Sequence, residues 1–386
     1  MDIIQTLAQQ LNLTAEQVGK TVQLIDEGNT IPFIARYRKE VTGSLDDSVL
    51  RTLDEKLTAL RNLAQRKQEV QDLIGAQGKL TEEVRAAIER AATVTEVDDI
   101  YRPFRPKRKT RASVARERGL EDLAILLFAQ EKSYTPSIEE QAARFVDPER
   151  EVPDVAAALQ GAMDIVAEEV SDNADYRREL RRLTFDAGSL TSKAAKEEDS
   201  VYAMYYDFSE PLRKLPGHRI LAINRGEKEE FLKVALTVPE DVVLGYLYNR
   251  VLSGNRSPAE PYVREAVTDA YNRLIAPSIE REIRNDLFDT ACEGAIKVFS
   301  DNLGHLLMQP PLKGKVVLGF DPGYAHGCKL AVVDPTGKVL DTAVVYPTYG
   351  ERQKNEAIAT LSRLIAKHGV EHIAIGNGTA SRETEQ

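Results

Sequence analysis

The chain has 386 residues, of which 42% are hydrophobic and 29% charged, and its formal net charge is −10. That length allows two or three domains around a sizeable core. That charge excludes a molecule that is basic overall, so any grip on nucleic acid has to come from a local patch.

Two cysteines without a CxxC spacing, Cys292 and Cys328, speak against a zinc site or a disulfide framework and fit a reducing cytoplasm. The opening MDIIQTLAQQ lacks a basic n-region, which predicts no secretory signal. The longest apolar run, Leu123 to Ala129, is too short for a bilayer, so no membrane partner is expected.

Residues 2–310 read as mostly helix. Thr14 to Gln17 has the pattern of a capping box, and Gly28 ends that helix. In TIPFIARYRKEVTG, the side chains of Ile31, Phe33, Ile34 and Tyr37 lie among basic residues, and Gly43 closes the segment. Ser44 is expected to open a long helix, with Leu50, Leu53, Leu57, Leu60 and Leu63 spaced by three and four as a core stripe. Another helix is expected near Thr81.

The stretch Tyr101 to Arg118 changes character. It sets Arg102, Arg105, Lys107, Arg108, Lys109, Arg111, Arg116 and Arg118 against the single acid Glu117, a local charge of +7. Pro103 and Pro106 predict an extended first half, and Ser113 is a candidate cap for a helix running toward Leu127. Such a segment, with Tyr101 and Phe104 interleaved, can track phosphates and offer rings for stacking. It can equally be a solvated loop whose arginines pair with neighbouring acidic helices.

In Tyr176 to Leu183, Arg177, Arg178, Arg181 and Arg182 predict a salt-bridged helical surface, with Glu168, Glu169 and Asp172 just upstream. Residues 189–200 read as a loop. Residues 218–238 read as a helix, a turn at Gly226, and a strand from Phe231 to Val238. Residues 259–308 read as a long helix, and Pro310 with Pro311 is the expected boundary between regions 1–310 and 311–386.

Beyond it the period becomes strand-like. Val316–Phe320, Cys328–Val333 and Val339–Tyr346 are expected strands, with Asp334-Pro335-Thr336-Gly337 as a hairpin turn. A helix from about Arg352 to His368 and a strand His372–Ile375 follow. Three antiparallel strands, a crossover helix and a parallel return form the front half of a ribonuclease-H-like sheet. The sheet would have one bare apolar face at Gln386, so the chain is expected to be a fragment.

Several blocks resemble the bacterial transcription accessory protein Tex family: NTIPFIARYRKEVTGSLDD, DDIYRPFRPKRKTRASVARERGLE, HRILAINRGEKE, VLGFDPGYAHGCKLAVVD and IGNGTASRETE. The resemblance implies an N-terminal multi-helix region with a helix-turn-helix-like part, then a truncated α/β domain of ribonuclease-H-like, YqgF type. It also implies helix-hairpin-helix and S1 modules downstream of this chain. The implied partners are RNA or DNA, held weakly without the S1 module, and RNA polymerase or transcription factors.

Active ribonuclease-H-like enzymes hold two magnesium ions on several carboxylates. Asp321 matches the first. The place of the second reads Gly376-Asn377-Gly378, leaving Glu383 and Glu385 as weak substitutes. Asp321 is therefore expected to be a vestigial position, with no cofactor and no metal. Magnesium enters only with the alternative of a nuclease. A protein-interaction scaffold is the third alternative. His326, near Asp321, is expected to hold neither phosphate nor metal.

Overall fold

Thr14 and Gln17 exchange hydrogen bonds as the capping pattern predicts: the Gln17 amide donates to Thr14 Oγ1 at 3.2 Å, and the Thr14 amide to Gln17 Oε1 at 3.1 Å. In the computed structural model, which describes residues 2–106, 109–196, 198–254, 256–310 and 312–385, this cap separates α1 (Ile3–Leu11) from α2 (Ala15–Asp26). Lys107, Arg108 and Pro311 lie outside the described residues. Two compact units divide at Ala295 and Ile296.

After α3 (Ile31–Tyr37) and α4 (Lys39–Thr42) comes the long helix α5 (Asp47–Ala76). It starts at Asp46, whose carboxylate accepts from the Val49 amide at 2.9 Å, and not at Ser44. Ser44 has φ +62° and belongs to the turn that closes α4. The leucine stripe is core: Leu50, Leu53, Leu57 and Leu63 are buried, and Leu60 is half-buried against α1 and α2. Further along α5, Val70 and Ile74 pack with α6 (Glu82–Arg90) and α7 (Val94–Tyr101).

Two helices, α8 (Arg111–Glu117) and α9 (Glu121–Ala129), replace the single one expected as far as Leu127. Thr110 caps α8, and Ser113 is its reciprocal partner. Gly119, at φ +85°, separates the two. The largest core then gathers α10 (Ile138–Ala142), α11 (Val155–Asp172) and α12 (Ala174–Ala187).

The first unit also holds a sheet that the sequence reading largely missed. It has β1 (Ser189–Ala194) at its centre, antiparallel to both β2 (Asp207–Pro211) and β3 (Leu232–Thr237). Residues 189–194 are thus a strand and not a loop. Gly226 is not a turn either. It lies buried inside α13 (Gly217–Lys228), where a Cβ would stand 2.7 Å from Leu232 Cδ1 and 3.0 Å from Tyr202 Cδ1. The unit continues with α14 (Glu240–Val251) and α15 (Glu260–Asp269), then a π-helical turn at Ala270–Ile275. The last helix, α16 (Ala276–Leu307), runs past the division between units.

In the second unit the strands are β4 (Val317–Asp321), β5 (Cys328–Val333), β6 (Val339–Val345) and β7 (His372–Ile375), in the order β6-β5-β4-β7. β7 runs parallel to β4, as a crossover through α17 (Glu351–His368) requires, and the other pairs are antiparallel. Asp334 shapes the hairpin turn, its Oδ1 accepting from the Thr336 and Lys338 amides at 2.8 and 3.0 Å. The short helix α18 (Ser381–Glu385) follows β7.

Asp341 on β6 ties the sheet to the end of α17, accepting from Lys367 Nζ at 2.8 Å and lying 3.0 Å from His368 Nε2. Hydrogen bonds from Lys367 and His368 hold its carboxyl far below the usual range. A depressed carboxylate stabilises the fold above its unfolded pKa, about 3.9, and loses that contribution as pH falls. Asp341→Asn should therefore melt earlier than wild type at pH 6, with the gap narrowing below about pH 4. A constant gap across thermal melts from pH 6 to pH 2 would contradict this coupling.

Candidate nucleic-acid interface and carboxylate position

The basic segment divides according to where its neighbours fall. Its first part is not extended: Arg102–Phe104 forms a single 3-10 turn continuing α7. Tyr101 is 6% exposed and Phe104 is half-buried in the core between α5, α6 and α7, so neither ring is free for stacking. Arg102 reaches Asp172 at 3.3 Å. Burial, and then the like charge of Arg177, pull the Arg102 guanidinium below its ordinary value, against the pull of Asp172. Arg105 lies over the Tyr101 ring at 5.6 Å, with Asp98 at the 4.0 Å limit of an ion pair.

Further along, Arg116 is held by Glu121 at 2.7 Å and Glu168 at 2.8 Å, and Arg118 pairs with Glu151. The alternative of arginines paired with neighbouring acidic helices describes these residues. Lys109 and Arg111 differ: both are exposed, and among the described residues neither forms an ion pair. Lys107 and Arg108 stand in the undescribed gap just before them.

The arginines of α12 also divide. Arg177 and Arg181 turn inward, and Arg178 and Arg182 outward, so the four do not form one salt-bridged surface. Arg177 is fully buried and donates through Nε to Asp99 Oδ1 at 2.8 Å, and through Nη2 to Ser278 Oγ at 2.7 Å and Glu282 Oε1 at 3.1 Å. Arg181 bridges the same two carboxylates at 2.9 and 2.7 Å. Burial raises Glu282, but hydrogen bonds and charge from Arg181, with help from Ser278 and Arg177, keep it below the usual carboxylate range.

In the second unit, strand register sets what surrounds Asp321. Gly319, Asp321, Lys329, Ala331, Thr342, Val344 and Ala374 share one face of the sheet, and Leu318, Phe320, Leu330 and Val332 share the other, which α17 covers. The face bearing Asp321 is open and lines a concavity of 720 Å³. Directly across from Asp321 on β5 is Lys329. At the end of β7 a Cβ on Gly376 would stand 4.0 Å from Asp321 Oδ1, so a side chain there would meet the carboxylate, and glycine supplies none. Glu383 lies on α18 and accepts from the Tyr324 hydroxyl, whose pKa that hydrogen bond raises.

A two-magnesium site needs several oxygen ligands around each ion. The residues beside Asp321 are a cation and a glycine, and this donor set does not fit such a site. Among the described residues no group of three His, Cys, Asp or Glu side chains could hold a metal ion. Lys329 opposite Asp321 was missed at the sequence level, although the hairpin at Asp334 and the alternation along β4 and β5 carry the signal.

Three family models match in succession: the Tex-like protein N-terminal domain over residues 1–75, the Tex central region-like model over 133–299, and the Tex protein YqgF-like domain over 315–386. The chain is 42% identical over 400 residues to Protein tex of Bordetella pertussis, which covers 100% of this chain and 50% of that protein. It is 41% identical over 394 residues to Transcriptional accessory protein Tex of Neisseria gonorrhoeae, covering 100% and 51%. It is 32% identical over 401 residues to S1 RNA-binding domain-containing protein 1 of Homo sapiens, covering 100% and 40%. The chain spans about half the length of the curated bacterial relatives it matches. Among the described residues no helix is long and apolar enough to cross a membrane.

Proposed function

The chain belongs to the Tex family, and from that premise we propose that it is a non-catalytic, nucleic-acid-binding part of a transcription accessory factor. The carrying observation is the pair of exposed cations at Lys109 and Arg111, in a chain of net charge −10: among the described residues neither forms an ion pair, although the charge of Arg111 reaches the Asp164 carboxyl. Cations outside internal ion pairs are the ones that can release counterions from a phosphate backbone. The strand order of the second unit supports a ribonuclease-H-like origin, and the lysine and glycine beside Asp321 support loss of hydrolysis. The names of the relatives support a role in transcription and, for the human relative, contact with RNA. A helix-turn-helix-like part in the N-terminal helical region, and RNA polymerase or transcription factors as protein partners, belong to the same reading.

The test is fluorescence anisotropy with single-stranded RNA across a salt series. Lys109→Glu with Arg111→Glu should weaken binding and reduce the slope of log affinity against log salt by about 1.4, at about 0.7 for each single-strand phosphate contact. An unchanged slope would remove this segment from the interface. Arg102 is unsuitable for such a test, because its reversal would break the half-buried pair with Asp172 and confuse folding with binding.

A further inference from the structure

The first 75 residues contain five arginines, and the structure treats them in two ways. Arg51, Arg61 and Arg66 each meet an aspartate, at 2.6, 2.8 and 2.6 Å. Arg36 and Arg38 meet none among the described residues, and neither does Lys39 beside them. All three are exposed. They surround an aromatic pair, Phe33 and Tyr37, whose ring centroids are 5.3 Å apart. Arg36 lies 6.0 Å from the Tyr37 centroid and Arg38 lies 5.1 Å from that of Phe33. Tyr37 is 54% exposed, so a ring face is open to solvent.

This cluster is built rather than loose. Ile34 is fully buried among Leu24, Leu45 and Leu50, which fixes α3 by its opposite face. Arg38 interrupts the helix at φ −133°, and its Nη1 donates back to the Tyr37 carbonyl at 3.0 Å. Gly43, at φ +69°, closes α4 against the Gln17 side chain. Rings and guanidinium groups are thus ordered before any partner arrives, which lowers the entropy cost of binding.

We propose that the exposed face of α3 and the start of α4, formed by Phe33, Arg36, Tyr37, Arg38 and Lys39, binds a single-stranded polynucleotide, with a base stacked on Tyr37 and phosphates on the three cations. The inference rests on the nucleic-acid reading above and adds a second contact surface to it. Sequence-tolerant single-strand sites combine these two elements, unneutralised cations and an accessible ring face. An acidic protein segment would satisfy the cations but has no use for the ring. The ring is what favours a nucleic acid.

The experiment uses the whole chain with a fluorescein-labelled single-stranded RNA and the matching DNA. Tyr37→Ala should weaken binding by about 5- to 150-fold, the range of one base–aromatic stack. Tyr37→Phe, which keeps the ring, should bind like wild type. Arg36→Glu with Arg38→Glu should weaken binding and lower the salt slope by about 1.4. Circular dichroism melts check the fold of each variant, and unchanged melts are expected because the altered side chains are exposed. The inference is overturned if the α3 variants bind like wild type while the Lys109 and Arg111 variant loses affinity, an outcome that leaves the broader reading standing. It is overturned too if only the charge reversals matter, or if polyglutamate displaces the RNA as well as unlabelled RNA does, since the face would then take an acidic polymer. Failure of the wild-type chain to bind either oligonucleotide removes the broader reading and this one together.

Discussion

Replacing Arg177 by alanine is expected to destabilise the first unit by about 3–5 kcal/mol, while the same change at the adjacent Arg178 stays within about 0.5 kcal/mol. The two residues are chemically identical and consecutive, and only their surroundings differ. Arg178 is 62% exposed and pairs with Asp175, itself 75% exposed, so water replaces that pair at little cost. Arg177 is fully buried and binds Asp99, which is 7% exposed, together with Ser278 and Glu282. Its removal leaves Asp99 Oδ1 without its guanidinium donor and takes one clamp from α7, α12 and α16 at once. Arg181 would remain on both carboxylates but cannot fill the space Arg177 leaves. Arg177→Lys should recover only part of the loss, because one ammonium cannot reproduce a planar fork reaching three acceptors. Denaturant unfolding of the two alanine variants decides the matter, and equal midpoints would show that the buried square of charges does not hold the helices together.

That contrast also shows where sequence reading stops. The repeat in YRRELRRL announces a helix with paired charges, and both are present. It does not say which arginines face inward, because the partners Asp99 and Glu282 lie 78 and 105 residues away from Arg177. The basic segment misled for the same reason. Its charge is visible in the sequence, but its neutralisation depends on Asp98, Glu151, Glu168 and Asp172, which only the fold brings near. Local signals did better. Thr14, the leucine spacing of α5, the Asp334 turn and the period-two runs of the second unit each act within a few residues, and each appears as read. The sheet of the first unit was hidden because β1 is polar, SLTSKA, and alternates only between half-buried and buried positions before its exposed end. The site at Asp321 was legible from one side only. Its strand and the absent acid at Gly376 could be read, whereas Lys329 emerged from the register.

The second unit separates folding from chemistry at adjacent positions, and Phe320→Ala with Asp321→Asn is the pair that uses this. Phe320 is 6% exposed and belongs to a small core with Leu318, Cys328, Leu330, Val332, Val345, Ala357 and Leu364. Truncating it should cost about 3–5 kcal/mol, much of the roughly 5–15 kcal/mol that a domain possesses. Amide exchange in β4 and β5 would then accelerate sharply, since those strands open only with the unit. Asp321 is exposed on the uncovered face, and replacing its carboxylate by an amide of equal shape should leave the same amides within about 0.5 kcal/mol of wild type. A residue that serves a metal would also show itself in activity. If Asp321 still served a hydrolytic centre, magnesium or manganese would support cleavage of labelled branched DNA or RNA that vanishes in Asp321→Asn. The lysine across from it and the glycine beside it lead to the opposite expectation: no cleavage that depends on Asp321, and no stabilisation of β4 by either ion. Cleavage lost in Asp321→Asn with exchange unchanged would return this sheet to the nucleases, because it would show chemistry removed from an intact fold.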